Sequence, residues 1–195
     1  GQGQQALRRV LLRYAVIDRD VGYCQGLAFI AALLLTYMPE DDALFSVAAV
    51  LQSPAQLRGM YLPGMDSTQR MLYVYTKLGE HFMPQVWNYF DKCGIHCSMF
   101  MTGWVLPLFC RGFGFDITTR VWDILSINRD MKIVYRVALA LVKSVEAEIL
   151  ESDFEQILAL FRELPTKVDA ERLFKIVFSI NLHRDKITAL EEVRA

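Results

Sequence analysis

Three short stretches of this chain carry residue types and spacings that chemistry uses. The first is Cys93-Gly94-Ile95-His96-Cys97, with Cys110 downstream. A structural zinc site needs four such ligands converging in a tetrahedron. The spacing is not a pair of zinc knuckles, and Cys97 and Cys110 sit in apolar helical surroundings, so these thiols read as small core hydrophobes and no metal site is expected. The second is Gly1-Gln2-Gly3-Gln4-Gln5-Ala6, a loose copy of a dinucleotide fingerprint with no strand before it and no βαβ unit after it, which removes its meaning. The third is Tyr23-Cys24-Gln25-Gly26, at the head of a long apolar run. There Gln25 either satisfies backbone groups at a helix start or is carried to the surface as a functional amide. There is no phosphate-cradling loop and no nucleophile elbow, and His81 and His183 have no evident Ser or Cys partner in sequence. Trp87, Trp104 and Trp122 lie among apolar neighbours and read as core.

The elements that must position these residues are helical. Leu7, Val10, Leu11 and Tyr14 recur at spacings of three and four, with Arg8, Arg9 and Arg13 largely off that face. A polar loop is expected from Val16 to Gly22. The run from Leu27 to Met38 is rich in Ala and Leu, which favours a central buried helix over a strand. It is also short of the ~20 apolar residues that span a bilayer. Pro39-Glu40-Asp41-Asp42 opens the next helix, to about Gln52, with Pro and acidic residues suited to a first turn. Ser53 to Gly64 is the longest loop candidate and carries Arg58 and Tyr61, both expected to be exposed.

Farther on, Asp66 and Asp116 read as helix caps. Pro84 and Gly94 bracket a short helix, and Pro107 predicts a break. The apolar positions from Val134 to Ile149 form the most regular stripe, and Ser152 with Glu155 spells a capping box. Segments 168–180 and 182–193 are amphipathic. About eleven helices and no strand result: an all-α single domain over residues 1–195, with no fixed-period repeat.

Composition narrows the function. Hydrophobic residues make up 53% of the chain, enough for a sizeable core, and a net charge of −1 argues against phosphate-backbone binding. Four cysteines, Cys24, Cys93, Cys97 and Cys110, fit reduced thiols in a cytosolic protein better than a disulfide framework.

Tyr23-Cys24-Gln25-Gly26 resembles the Y-x-Q-G motif of TBC domains, the GTPase-activating domains that act on Rab GTPases. The segment from Gly1 to Leu7, the run from Phe29 to Leu35, Trp104, and Arg120-Val121-Trp122-Asp123 also look like family positions. The resemblance implies an all-helical fold and a role in vesicle trafficking, in the cytoplasm or at endomembranes reached through partners. It implies that Gln25 is a glutamine finger supplied in trans to orient the hydrolytic water, with Tyr23, Cys24 and Gly26 as its supporting motif. Gly26 would permit close approach of the GTPase backbone. The domain would be a GTPase activator rather than a stand-alone enzyme. It would have no cofactor or metal of its own, since GTP and Mg belong to the partner Rab, and no nucleic acid partner or membrane insertion is implied.

The family's second finger is an arginine in an upstream I-x-x-D-x-x-R motif. Here Ile17-Asp18-Arg19-Asp20 imitates its first four positions, but the seventh is Tyr23, inside the glutamine motif. The arginine segment is therefore expected to be missing and the domain N-terminally incomplete, so that these residues alone activate a Rab weakly or not at all. Arg8, Arg9, Arg13 and Arg19 are the substitutes weighed for it, the first three more readily as a solvated helix face. Leu27-Ala28 stands where many members carry Met-Asn. The alternatives are a catalytically silent scaffold that binds a Rab or an adaptor, and an unrelated helical interaction protein.

Overall fold

A computed structural model describes residues 1–52 and 57–193. The described residues form twelve α-helices, two short 3-10 turns and no strand. The helices are α1 (Gln2–Ile17), α2 (Leu27–Leu35), α3 (Glu40–Leu51), α4 (Asp66–Phe82), α5 (Pro84–Cys93) and α6 (Met101–Val105). After them come α7 (Phe115–Asn128), α8 (Lys132–Ser144), α9 (Glu146–Leu150), α10 (Phe154–Lys167), α11 (Ala170–Ser179) and α12 (Arg184–Glu192). The count exceeds eleven because the apolar stripe from Val134 to Ile149 is two helices, parted at Val145, whose φ of −123° and ψ of 20° leave the helical region. None of the described helices is long and apolar enough to cross a membrane.

The central helix is α8, not the expected α2. Ile133, Val134, Tyr135 and every residue from Val137 to Val142 are buried, and α8 packs against α6, α7 and α11. Only Leu27, Ile30, Ala31 and Leu34 of α2 are buried; the helix rests on α1 and α3 and leaves Phe29 at the surface. With α1 and α3 as its main neighbours, α2 buries one stripe and leaves the rest partly covered. Between α5 and α10, Phe90, Phe100, Trp104 and Phe161 make an aromatic cluster, with the Phe100 and Phe161 ring centres 4.2 Å apart. All three tryptophans are core residues, as their neighbours predict.

Local signals shift by a residue or two where the backbone, not the pattern, sets the boundary. The capping box is Asp153 with Gln156, one position after the expected Ser152 and Glu155. Asp66 and Asp116 lie within first turns, where they complement the helix dipole, rather than at the caps. The polar loop starts later than Val16, because α1 continues to Ile17. Of the loop expected over 53–64, residues 53–56 lie outside the described residues, and Leu57–Met60 forms a 3-10 turn.

Candidate functional site

Gln25 projects from a nine-residue connection, 18–26, that is anchored at both ends. At the first end the buried Asp18 carboxylate accepts a two-pronged pair from Arg58, at 2.7 and 2.8 Å, and a hydrogen bond from the Tyr14 hydroxyl at 3.0 Å. The Val21 backbone N–H donates to it at 3.3 Å, and Arg58 also reaches Asp20 at 2.8 Å. With these donors, Arg58 foremost, the Asp18 carboxyl is held down at about 2. Burial, helped by the bond to Asp18, raises the Tyr14 phenol above its ordinary range. Arg58 is thus not the exposed loop residue expected; it is half-buried and spoken for.

At the second end Gly26 has φ 117°, and a Cβ there would lie 2.8 Å from the Leu106 carbonyl oxygen. The glycine is required by this contact within the chain itself. The same carbonyl accepts from the Tyr61 hydroxyl at 2.7 Å. Tyr61, expected to be exposed, is 3% accessible, and its burial pushes the phenol up. So one carbonyl and one buried tyrosine seat the glutamine turn on the segment following α6.

That segment is itself unusual. After Pro107, where the predicted break occurs, Leu108 and Phe109 take φ of 45° and 59°, both fully buried. Left-handed geometry in two consecutive bulky residues costs roughly 1–2 kcal/mol apiece and persists only where the surroundings enforce it. Here the Phe109 N–H caps the Trp104 carbonyl at 2.8 Å, Trp122 donates to the Leu108 carbonyl at 3.1 Å, and Thr118 donates to that of Phe109 at 2.8 Å. The reversal turns Arg111 back toward α2.

Between the two anchors Gln25 is exposed, and among the described residues its carboxamide makes no hydrogen bond. It does not serve as a helix-start glutamine satisfying backbone groups. Tyr23 is 63% accessible and stands free at the surface; Cys24 is half-buried, with its thiol 3.7 Å from the Gln25 carbonyl oxygen and raised by burial. Gln25 lines a cavity of about 190 Å³ with Gly26, Phe29, Gly103, Leu106, Pro107 and Arg111 among its walls. The Arg111 guanidinium sits 5.8 Å over the Phe29 ring. Sequence reasoning passed over Arg111, although it is the first charged residue after Lys92 and so stands out at the end of an uncharged stretch.

The arginines weighed as substitute fingers are placed elsewhere or engaged. Arg9 pairs with Glu40 at 2.6 Å and Arg13 with Asp41 at 2.6 Å, tying α1 to α3, while Arg8 and Arg19 are exposed and line no cavity with Gln25. The thiols behave as packing groups. Cys97 lies 3.2 Å from the Thr76 hydroxyl, and burial pushes the Cys110 thiol up to about 12. No group of three His, Cys, Asp or Glu among the described residues could hold a metal ion.

The site is thus an exposed, unbonded carboxamide on a connection anchored at Asp18 and at Gly26. Residues 1–150 match the family description of the Rab-GTPase-TBC domain, and the chain belongs to that family. It is similar to the human ecotropic viral integration site 5 protein homolog, 33% identical over 97% of this chain and 24% of that protein. It is also similar to the Rab GTPase-activating protein eat-17 of Caenorhabditis elegans, 32% identical over 98% of this chain and 22% of that protein. The chain thus spans about a quarter of the length of these relatives. Among solved structures, the Chlamydomonas flagellar RabGAP TBC domain superposes with a TM-score of 0.78 at 28% identity, covering 91% of this chain and 60% of that one. The Ypt/Rab-GAP domain of Gyp1p shares the fold, with a TM-score of 0.77 at 17% identity over 98% of this chain and 66% of that one.

Proposed function

We infer that the chain is part of a GTPase-activating domain for a Rab-type small GTPase, with Gln25 entering the partner's nucleotide site as a glutamine finger. The observation that carries this reading is the exposed, unbonded carboxamide of Gln25 on a connection pinned at Asp18 and at Gly26. A carboxamide accepts a hydrogen bond from the attacking water through Oε1 and donates through Nε2 toward the transferring phosphoryl group, while staying neutral. A turn held before the partner arrives loses little freedom on docking, so most of the gain from orienting the water is retained. GTP and its magnesium ion are held by the GTPase; this chain contributes orientation. Family membership and the names of its relatives as Rab activators support the choice of partner.

The second reading is a domain that binds a Rab without stimulating hydrolysis. It is favoured by the state of three nearby arginines: Arg9, Arg13 and Arg58 are committed to carboxylates within the chain, which leaves Arg111 as the arginine that lines the cavity with Gln25. An arginine finger contributes about 10³–10⁵ in rate, so its source decides how much turnover the amide alone supports.

The test mixes the full-length protein carrying this chain with a panel of GTP-loaded Rabs and follows phosphate release for wild type and Gln25→Ala. The expected outcome is a loss of stimulation on the order of 100-fold in the variant. Unaltered stimulation would remove the finger assignment, and binding without any stimulation by wild type would select the second reading.

A further inference from the structure

The Gln25 cavity does not end at Arg111. A second cavity of about 300 Å³ shares Gly103 and Arg111 with it and continues over the aromatic cluster to Arg162 and Thr166 on α10. The two form one groove, with Arg111 at the divide. Its floor is apolar, made of Phe29 in the first part and Met99, Phe100 and Trp104 in the second. Its charged walls are Arg111 and Arg162 alone; no Asp or Glu lines either cavity. Both arginines are exposed, and neither makes an ion pair or hydrogen bond among the described residues; Arg111 only rests on Phe29. Arg9, Arg13, Arg58, Arg120, Lys77, Lys143 and Lys167 are each tied to a carboxylate, whereas the two groove arginines stand without an ion pair over a shared apolar floor.

We propose that this groove is a docking track for the partner GTPase, in which Arg111 and Arg162 receive carboxylates of an acidic segment that also carries an apolar side chain. The inference rests on the Rab-activator reading and adds to it which surface selects the partner. Charge complementarity names the occupant. A cation already stacked on an aromatic ring is partly desolvated and oriented, and guanidinium takes a carboxylate in a two-pronged pair. Exposed basic walls in a groove that no carboxylate lines steer an acidic surface and reject a basic one. Because the track begins at Gln25, seating the acidic segment sets the register in which the amide meets the nucleotide. Arg111 and Arg162 are positioning residues here: they act on the partner's placement, not on the reacting atoms.

The test measures the dissociation constant of the full-length protein for a panel of Rabs loaded with a slowly hydrolysed GTP analogue, at low and high salt. Wild type is compared with Arg111→Glu, Arg162→Glu and Lys175→Glu, the last an exposed reversal on α11 outside both cavities. Each groove reversal is expected to weaken binding about tenfold or more and to flatten its salt dependence, while Lys175→Glu stays within about twofold. An acidic-to-basic reversal on the GTPase should restore binding to Arg162→Glu. Folding is monitored by circular dichroism. If both reversals keep the wild-type affinity and salt slope while Gln25→Ala still abolishes phosphate release, the track is overturned and the activator reading stands. If no Rab binds the wild-type protein, both fall.

Discussion

Gln25 and Gly26 are neighbours with opposite requirements. On the proposed reading the glutamine needs freedom from its own chain, and the glycine needs intimate contact with it. At φ 117°, and with the Leu106 carbonyl 2.8 Å from where a Cβ would sit, any side chain at position 26 is both strained and obstructed. Gly26→Ala is therefore expected to lose about 2–3 kcal/mol in urea unfolding. On the activator reading it should also lower GTPase stimulation further than the folded fraction explains, because relief of the clash moves the turn that carries Gln25. Stimulation that merely tracks the folded fraction would mean the turn tolerates the shift. The types and spacing in Tyr23-Cys24-Gln25-Gly26 were readable from the chain. That Gly26 serves the chain's own carbonyl was not, because Leu106 lies eighty residues away in sequence.

Elements explain why the glutamine turn holds still. The end of α1 is joined to the 3-10 turn at Leu57–Met60 through Asp18 and Arg58, and the start of α2 is joined to the reversal after α6 through Gly26, Leu106 and Tyr61. A half-buried ion pair is a weak source of net stability, but removing one member leaves the other uncompensated. Asp18→Asn should cost about 2 kcal/mol near neutral pH, since Arg58 retains Asp20. The Asp18 carboxyl is depressed to about 2 from 3.8, so its contribution is fully present above about 4 and is lost as pH falls toward 2. The gap in urea midpoint between wild type and Asp18→Asn should therefore be widest near pH 6 and shrink steadily below pH 4. A gap independent of pH would show that the carboxylate charge is not what holds the loop.

At the scale of the whole molecule, stability is set far from the site. Helix α8 is enclosed by α6, α7 and α11, with Leu139 fully buried. Leu139→Ala should cost about 3 kcal/mol through lost apolar burial and the cavity left behind. Because a domain has only about 5–15 kcal/mol in hand, the unfolding midpoint should fall visibly. On the activator reading, stimulation per folded molecule should stay at the wild-type level, since Leu139 lies outside the Gln25 cavity. A change in stimulation beyond the folded fraction would place α8 in communication with the site.

What the amino-acid order determined alone is local and periodic. Helical faces, the stops at Gly94 and Pro107, the all-α class and the singling out of Gln25 all follow from spacing over a few residues or from a short motif. Resemblance suggested the chemistry proposed for that amide. The tertiary structure decided what depends on distance in space. It buried α8 rather than α2, drew Tyr61 and Arg58 inward from an expected surface loop, and used Gly26 to admit a carbonyl from another element. It also set Arg111 beside Gln25, across a reversal built from two left-handed residues. None of these has a local signal, because burial and pairing are settled by which surfaces meet when the helices close on one another.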